Sequence, residues 1–374
     1  MANILITAPS LDENVNISGI SSFTKTLITN NSDKHTYYHF QLGKKDSEKK
    51  GFKWLCNQIT LIPRFIYFLL KHKIDLVHLN TDLTAMSLIR DFPLWTSVFY
   101  LFRKKTLIHI HGGHFLMKPP APGTMFHFII KTLLKRSEVS VVLSEIEKKQ
   151  IEATYQISCA VMPNAVSSEN RNVHKDFSKK LSLFFMGRIV RSKGIFLLTD
   201  CLQDLGSWLS EFDLHIYGTG PDLNDFLNRL SAIEGLNYQY HGVVRGPGKL
   251  EALDKNHIFL LPSLFGEGLP IALLESMSRG CIPVVSDDAS IGAVVTDGVN
   301  GYIIPKGSGF DLKDRLIRVF TDRDTLNSLS ICAKNTIENS YNLENYLIEL
   351  NKLYKTLEYG TNQLFRRRAK SYNV

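Results

Sequence analysis

The chain reads as an α/β protein made of two Rossmann-like, doubly wound domains, each a parallel sheet covered by helices. Three observations predict this. Short runs rich in Val, Leu and Ile alternate with helix-length amphipathic segments from end to end, as parallel strands buried on both faces require. The alternation restarts after the polar stretch "SSENRNVHKDFSKK", Ser167–Lys180. And 374 residues exceed what one core comfortably encloses.

The elements follow in order. "NILIT" (Asn3–Thr7), "DLVHLN" (Asp75–Asn80), "TLIHIHG" (Thr106–Gly112) and "VSVVLS" (Val139–Ser144) read as strands of the first sheet, with helices between them at Ile20–Thr29 and Gly123–Arg136. "LSLFFMG" (Leu181–Gly187), "FDLHIYG" (Phe212–Gly218), "YQYHG" (Tyr238–Gly242), "IFLLPS" (Ile258–Ser263) and "CIPVVS" (Cys281–Ser286) read as strands of the second. "VTDGVNGYIIP" suggests a tight reversal at Asn300-Gly301 between short strands. The expected division is 1–170, 171–342, and a closing helix with a basic tail over 343–374 that packs back toward the first domain.

Composition narrows the class. The five cysteines are scattered and never spaced as C-x-x-C, which argues against a disulfide framework or a zinc site and fits a reducing compartment. No window of 18 uninterrupted apolar residues occurs, and "MANILIT" reads as a strand rather than a secretory leader. Residues 1–175 carry a net charge of +9 and residues 176–374 a net charge of −1. The excess predicts an anionic partner for the first half. With the mixed aromatic, aliphatic and basic runs Ile62–Ile74 and Phe92–Lys105, a cytoplasmic protein resting on an anionic membrane surface is expected. Nucleic acid is not, because the cations form no stripe interleaved with aromatics.

In doubly wound sheets ligands bind beyond the carboxyl ends of the strands, so the post-strand loops carry the candidates. Ser18-Gly19 precedes a helix, where free N–H groups favour a phosphate; an ordinary helix start fits as well. In "HIHGGHF", His109 and His111 share a face. His111, at the strand end before two glycines, is the functional candidate, and no carboxylate or cysteine at ligand spacing supports a metal there. "FMGRIVRSKGI" sets Arg188 and Lys193 in one strand-to-helix loop, suited to a diphosphate. "YGTGPDL" lacks the third glycine of a dinucleotide fingerprint.

"FGEGLPIALLESMSRGCIPVVS" carries the most information. Pro270 suits a first helical turn and Gly280 a helix end. Glu267 then lies beside the free N–H groups of Gly268 and Leu269, which can hold a phosphate or sugar oxygen, and Glu275, about two turns on, can hold two vicinal hydroxyls, as a ribose presents. Hydroxyls at both ends and phosphates between describe a nucleotide sugar. Asp322-Arg-Asp324, the one D-x-D, sits at a helix start and is read as a cap.

The chain resembles the retaining glycosyltransferases of family 4, which have the GT-B fold of two such domains facing across a cleft. The E-x7-E stretch, the G-R-x4-K-G loop, "SGISSFTKTL", "HIHGGHF", "VVLSEIEKKQI", "VMPNAV" and "YGTGPDL" occur in the family's order. The resemblance implies that Arg188 and Lys193 contact the donor diphosphate, that Glu275 holds the ribose, and that Glu267 with the backbone of Gly268 and Leu269 holds the transferred sugar. It further implies that His111 reaches that sugar and that Gly19 lets its loop approach the phosphates. No cofactor or bound metal is implied. The expected reaction is transfer of a hexose or N-acetylhexosamine from a nucleotide-diphosphate sugar, UDP favoured over GDP, to a saccharide acceptor on a polyprenyl-diphosphate carrier, in surface polysaccharide biosynthesis of the O-antigen or capsule kind. A nucleotide-sugar epimerase or hydrolase is the alternative. Two departures stand out: Ser18 replaces the first glycine of the N-terminal loop, and Ser290 and Ala293 replace the usual Gly and Glu.

Overall fold

The computed structural model describes residues 1–16, 18–43, 57, 59–167 and 174–359. The basic tail and residues 168–173 of the expected junction lie outside the described residues. The chain divides into two units, Met1–Met162 with Glu344–Val374, and Pro163–Leu343.

The first unit is built on a six-stranded parallel sheet in the order β2-β1-β3-β4-β5-β6. Its strands are β1 Asn3–Ala8, β2 Thr36–Gln41, β3 Leu76–Thr81, β4 Lys105–Ile110, β5 Val139–Val142 and β6 Ala160–Val161. Every residue of β3 and β5 is buried, as sequences covered by helices on both faces require. Two strands beyond the expected set appear at the edges. β2, "TYYHFQ", is half-exposed, and β6 is two residues long, so neither has the continuous apolar run of a central strand. Helix Glu145–Tyr155 starts at Ser144, whose hydroxyl accepts from the Glu147 N–H at 3.2 Å. The buried Glu147 carboxylate in turn accepts from the Leu143 N–H at 2.8 Å, a variant of the capping box. The closing helix Leu343–Tyr359 ties to this sheet through Tyr354, 2.7 Å from His78 Nδ1.

The second unit carries β7 Leu181–Met186, β8 Phe212–Tyr217, β9 Tyr238–Gly242, β10 Ile258–Leu261, β11 Ile282–Ser286 and β12 Tyr302–Ile304. All pair in parallel in the order β12-β11-β10-β7-β8-β9. The direction of winding reverses between β7 and β10, and that crevice is where doubly wound sheets bind ligands. The expected tight reversal at Asn300-Gly301 is present as a turn, but it does not join two paired strands. A single bridge joins Asp297 and Gly301, and β12 instead joins β11 in parallel. Asn300 is spent locally, its amide donating to the Val294 carbonyl at 2.9 Å.

Among the described residues no helix is long and apolar enough to cross a membrane.

Candidate functional site

The reversal point is lined by the loops after β7 and β10, and the sequence loads both with ionisable residues. After β7 the backbone runs Gly187, Arg188, Ile189. The Gly187 and Ile189 N–H groups donate to the carbonyls of Tyr217 and Thr219 at 3.1 and 2.9 Å. This close approach explains "YGTGP" without a dinucleotide: a Cβ on Gly218 would lie 1.9 Å from the Gly187 carbonyl oxygen, and one on Gly220 2.0 Å from that of Ile189. Gly194, at φ 71°, is fixed the same way, since a Cβ there would meet the Pro262 carbonyl oxygen at 1.8 Å. Gly194 therefore docks the β7 loop onto the β10 loop and brings Lys193 to Glu267.

Lys193 Nζ donates to both oxygens of Glu267, at 2.6 and 2.7 Å. The Ser263 hydroxyl donates to the same carboxylate, and Glu267 is only 5% exposed. A carboxylate this far from water needs a charged partner and further hydrogen bonds, and it has both. Its own N–H donates to Asp288 Oδ2 at 3.0 Å, while Asp288 Oδ1 accepts from Lys306 Nζ at 2.5 Å. Asp288 is a residue the sequence did not single out. It lies on the loop after β11, where Ala289 has φ 46°, a left-handed conformation that costs a residue with a Cβ roughly 1–2 kcal/mol. Ser290 and Ala293, the two departures, are on that loop as well.

Leu269 is held from a third direction: Asn164 of "VMPNAV" donates to its carbonyl at 2.7 Å. The N–H groups of Gly268 and Leu269 find no partner among the described residues, which leaves two donors beside the N-terminus of helix Ile271–Ser278. Pro270 is that helix's N-cap residue rather than a member of its first turn. Gly280 takes the left-handed conformation after the helix end, φ 72°.

Glu275 lies on the same helix. The i, i+4 partner Arg279 is not its own, because Arg279 forks onto Asp254 at 2.5 and 2.7 Å. Glu275 Oε1 accepts instead from Lys249 Nζ at 2.5 Å, and Oε2 is buried without a partner. Arg188 is exposed at the end of β7.

The candidates in the first unit are differently placed. His111 follows β4, its Nε2 2.9 Å from Asn80 Oδ1 and its Nδ1 buried without a partner. Asn80 Nδ2 donates to the Thr7 carbonyl at 2.8 Å, so its oxygen faces His111, and Nε2 carries the proton. The His111 and His109 rings are 4.1 Å apart, and those of His109 and His78 5.6 Å. Burial, then the neighbouring imidazoles of His109 and His78, holds His111 well below the ordinary histidine range. Burial pushes His109 down to about 4. All three are neutral at pH 7. Gly113, φ 112°, is required by packing, since its Cβ would lie 2.5 Å from the Leu83 nitrogen. Gly19 is the exposed first residue of helix Gly19–Asn31, capped by the Ser18 hydroxyl, which accepts from the Ser21 N–H at 3.2 Å. The Asp322 side chain makes no cap hydrogen bond, contrary to the reading of D-x-D as a cap.

Residues 166–337, spanning both loops and both glutamates, match the family Glycosyl transferases group 1. The match falls entirely within the second unit. Among relatives, an uncharacterized glycosyltransferase of Methanocaldococcus jannaschii, MJ1069, is 26% identical over 68% of this chain and 69% of its own length. The putative colanic acid biosynthesis glycosyltransferase WcaL of Salmonella typhimurium is 30% identical, over 47% of this chain and 45% of its own. An Escherichia coli enzyme named UDP-Gal:alpha-D-GlcNAc-diphosphoundecaprenol alpha-1,3-galactosyltransferase is 33% identical over 29% of this chain and 27% of its own. Among solved structures, sucrose-phosphate synthase from Thermosynechococcus elongatus aligns with a TM-score of 0.75 at 14% identity, over 96% of this chain and 99% of its own. Anabaena HepE in complex with UDP-glucose aligns with a TM-score of 0.73 at 14% identity, over 95% of this chain and 100% of its own. The fold is that of the GT-B glycosyltransferases.

Proposed function

We propose that this chain is a retaining, metal-independent glycosyltransferase of family 4 type. It moves a hexose or N-acetylhexosamine from a nucleotide-diphosphate sugar, UDP rather than GDP, to a hydroxyl of a lipid-linked saccharide in surface polysaccharide biosynthesis. The observation that carries this reading is the convergence of Lys193, Glu267 and the partnerless N–H groups of Gly268 and Leu269 at the winding reversal between β7 and β10.

The chemistry follows from the donor set. Two of the three Lys193 N–H donors are taken by Glu267; the third is left for a diphosphate, where charge grows as the sugar C1–O bond breaks, and the Arg188 guanidinium at the end of β7 is assigned to the same diphosphate. The Glu267 oxygens retain lone pairs for sugar hydroxyls, and Glu275 Oε2 for the ribose. The acceptor hydroxyl adds to C1 on the face the diphosphate leaves, and its proton passes to a departing phosphate oxygen, so the anomeric configuration is kept. Gly19 and His111 are assigned to the phosphates and to the transferred sugar. For His111 this requires the ring to turn from Asn80 or to expose Nδ1. The UDP-glucose complex of HepE and the lipid-linked substrate in the name of the E. coli relative support the donor and acceptor classes.

Peripheral attachment to an anionic membrane is part of the proposal. Tyr67 and Leu70 on helix Leu61–Lys71, and Tyr100 and Leu101 near the end of the next helical stretch, are 57–71% exposed. Arg64, Lys71, Arg103 and Lys104 lie among them in sequence. Apolar side chains beside cations suit an anionic interface.

The test is incubation with a panel of UDP- and GDP-sugars and polyprenyl-diphosphate-linked saccharides, with and without chelator, reading product linkage by NMR. An α-linked product that forms in chelator supports the reading. Donor epimerised or hydrolysed at the same rate with no acceptor would favour the epimerase or hydrolase instead.

A further inference from the structure

Glu275 leaves a carboxylate oxygen, Oε2, buried and unpartnered, while its other oxygen is taken by Lys249 at 2.5 Å. Lys249 and Glu275 are each about a quarter exposed, at 24% and 22%, and they come from different elements, helix Gly246–Lys255 and helix Ile271–Ser278. An ordinary surface ion pair contributes little and gives no reason to bury the second oxygen. A buried acceptor without a donor is destabilising, and such a group persists where something else offsets it. Lys249 Nζ has three donors, of which Glu275 Oε1 takes one. A hydroxyl placed against this pair meets a donor and an acceptor together: it donates a hydrogen bond to Oε2 and accepts one from Nζ.

Taking Glu275 as the ribose-binding carboxylate of the proposed function, we propose that Lys249 is a specificity-determining residue of the same subsite. Lys249 and Glu275 Oε2 together frame one ribose hydroxyl, the 2′-OH, so that the protein selects ribonucleotides over 2′-deoxyribonucleotides. A site that hydrogen-bonds a hydroxyl on both its donor and acceptor sides rejects the analogue lacking it, because both partners are then left unpaired. Nothing in the sequence alone pointed to Lys249, which lies 26 residues from Glu275.

Calorimetric titration of UDP and 2′-deoxy-UDP into the full chain tests this, in wild type, Lys249→Met and Lys249→Gln, each checked for an unchanged melting temperature. GDP and ADP with their 2′-deoxy forms complete the panel. Wild type is expected to prefer the ribonucleotide by at least about tenfold. In both variants that preference falls to about threefold or less, through weaker binding of the ribonucleotide and little change for the deoxy form. If the variants keep the wild-type ratio, or weaken both nucleotides equally as loss of a phosphate contact would, Lys249 does not read the hydroxyl; the inference fails and the glycosyltransferase reading stands. If none of the nucleotides binds wild type, the ribose assignment of Glu275 fails, and the inference with it.

Discussion

The two units bury polar side chains in opposite ways. At the reversal between β7 and β10, charge is kept and paired: Glu267 with Lys193, Asp288 with Lys306, Glu275 with Lys249. Beside β3 and β4, charge is abolished: His78, His109 and His111 lie in a column with one ring nitrogen each left unpartnered, and burial holds them neutral. Each of these carboxylates is held in place by a lysine from another segment of the chain. A neutral imidazole column needs no counter-ion, but it ties the stability of its unit to pH.

The largest effect expected from this contrast is at Glu267. Replacing it by Gln keeps the shape but leaves Lys193 without its counter-charge and the sugar without a carboxylate. Transfer should fall by about 10²–10³ while circular dichroism is unchanged, and a loss of less than about threefold would remove Glu267 from the site.

Next is the pH response of the histidine column. His109 has a folded pKa of about 4 against an ordinary 6.5, so between those values the unfolded chain binds the extra proton and the native state loses stability as pH falls. The full contribution is present above about pH 6.5 and is lost progressively down to about 4, amounting to about 3 kcal/mol for His109. Urea midpoints at pH 7.5, 6, 5 and 4.5 should decline for wild type and decline less steeply for His109→Leu. Parallel curves would contradict the neutral column.

Asp288→Ala should have a smaller effect. It strips the Glu267 N–H of its acceptor and Lys306 of its partner, costing about 1–3 kcal/mol. For a domain of this size that is a melting temperature lower by about 2–12 °C, accompanied by weaker transfer. An unchanged melting temperature would mean that the β11 loop does not brace Glu267. The smallest effect belongs to Asp322→Ala, which removes no cap and should stay within about 0.5 kcal/mol of wild type, with transfer unchanged. A marked loss of transfer would reopen D-x-D as a functional motif.

Central strands were legible in the sequence because burial on both faces demands uninterrupted Val, Leu and Ile, as in "LSLFFM". The edge strand Thr36–Gln41 was not, since an edge strand with one wet face carries Tyr and His where a central one carries Ile. The turn at Asn300-Gly301 was legible but the pairing of the strand after it was not, because local turn chemistry does not say which strand its neighbour will join. Glu267 and Glu275 were legible from their spacing around Gly-Leu-Pro, whereas their partners were not. Lys249 and Asp288 lie 26 and 21 residues away, and a contact closed by tertiary packing leaves no period to read. His109 and His111 could be placed on one face by alternation, but the turning of His111 toward Asn80 depends on how Thr7 orients the amide. The role of the glycines in "HGG" and "YGTG" was not legible, because Gly113, Gly218 and Gly220 are fixed by backbone crossing backbone from distant segments.

The most direct test of the central claim, that the second unit holds a nucleotide with its ribose on Glu275, is calorimetric titration of UDP, GDP and ADP into wild type and Glu275→Ala without added metal. The account predicts that UDP binds wild type best and binds Glu275→Ala at least about tenfold more weakly. Equal binding by the two proteins, or no binding of any nucleotide to wild type, would contradict it.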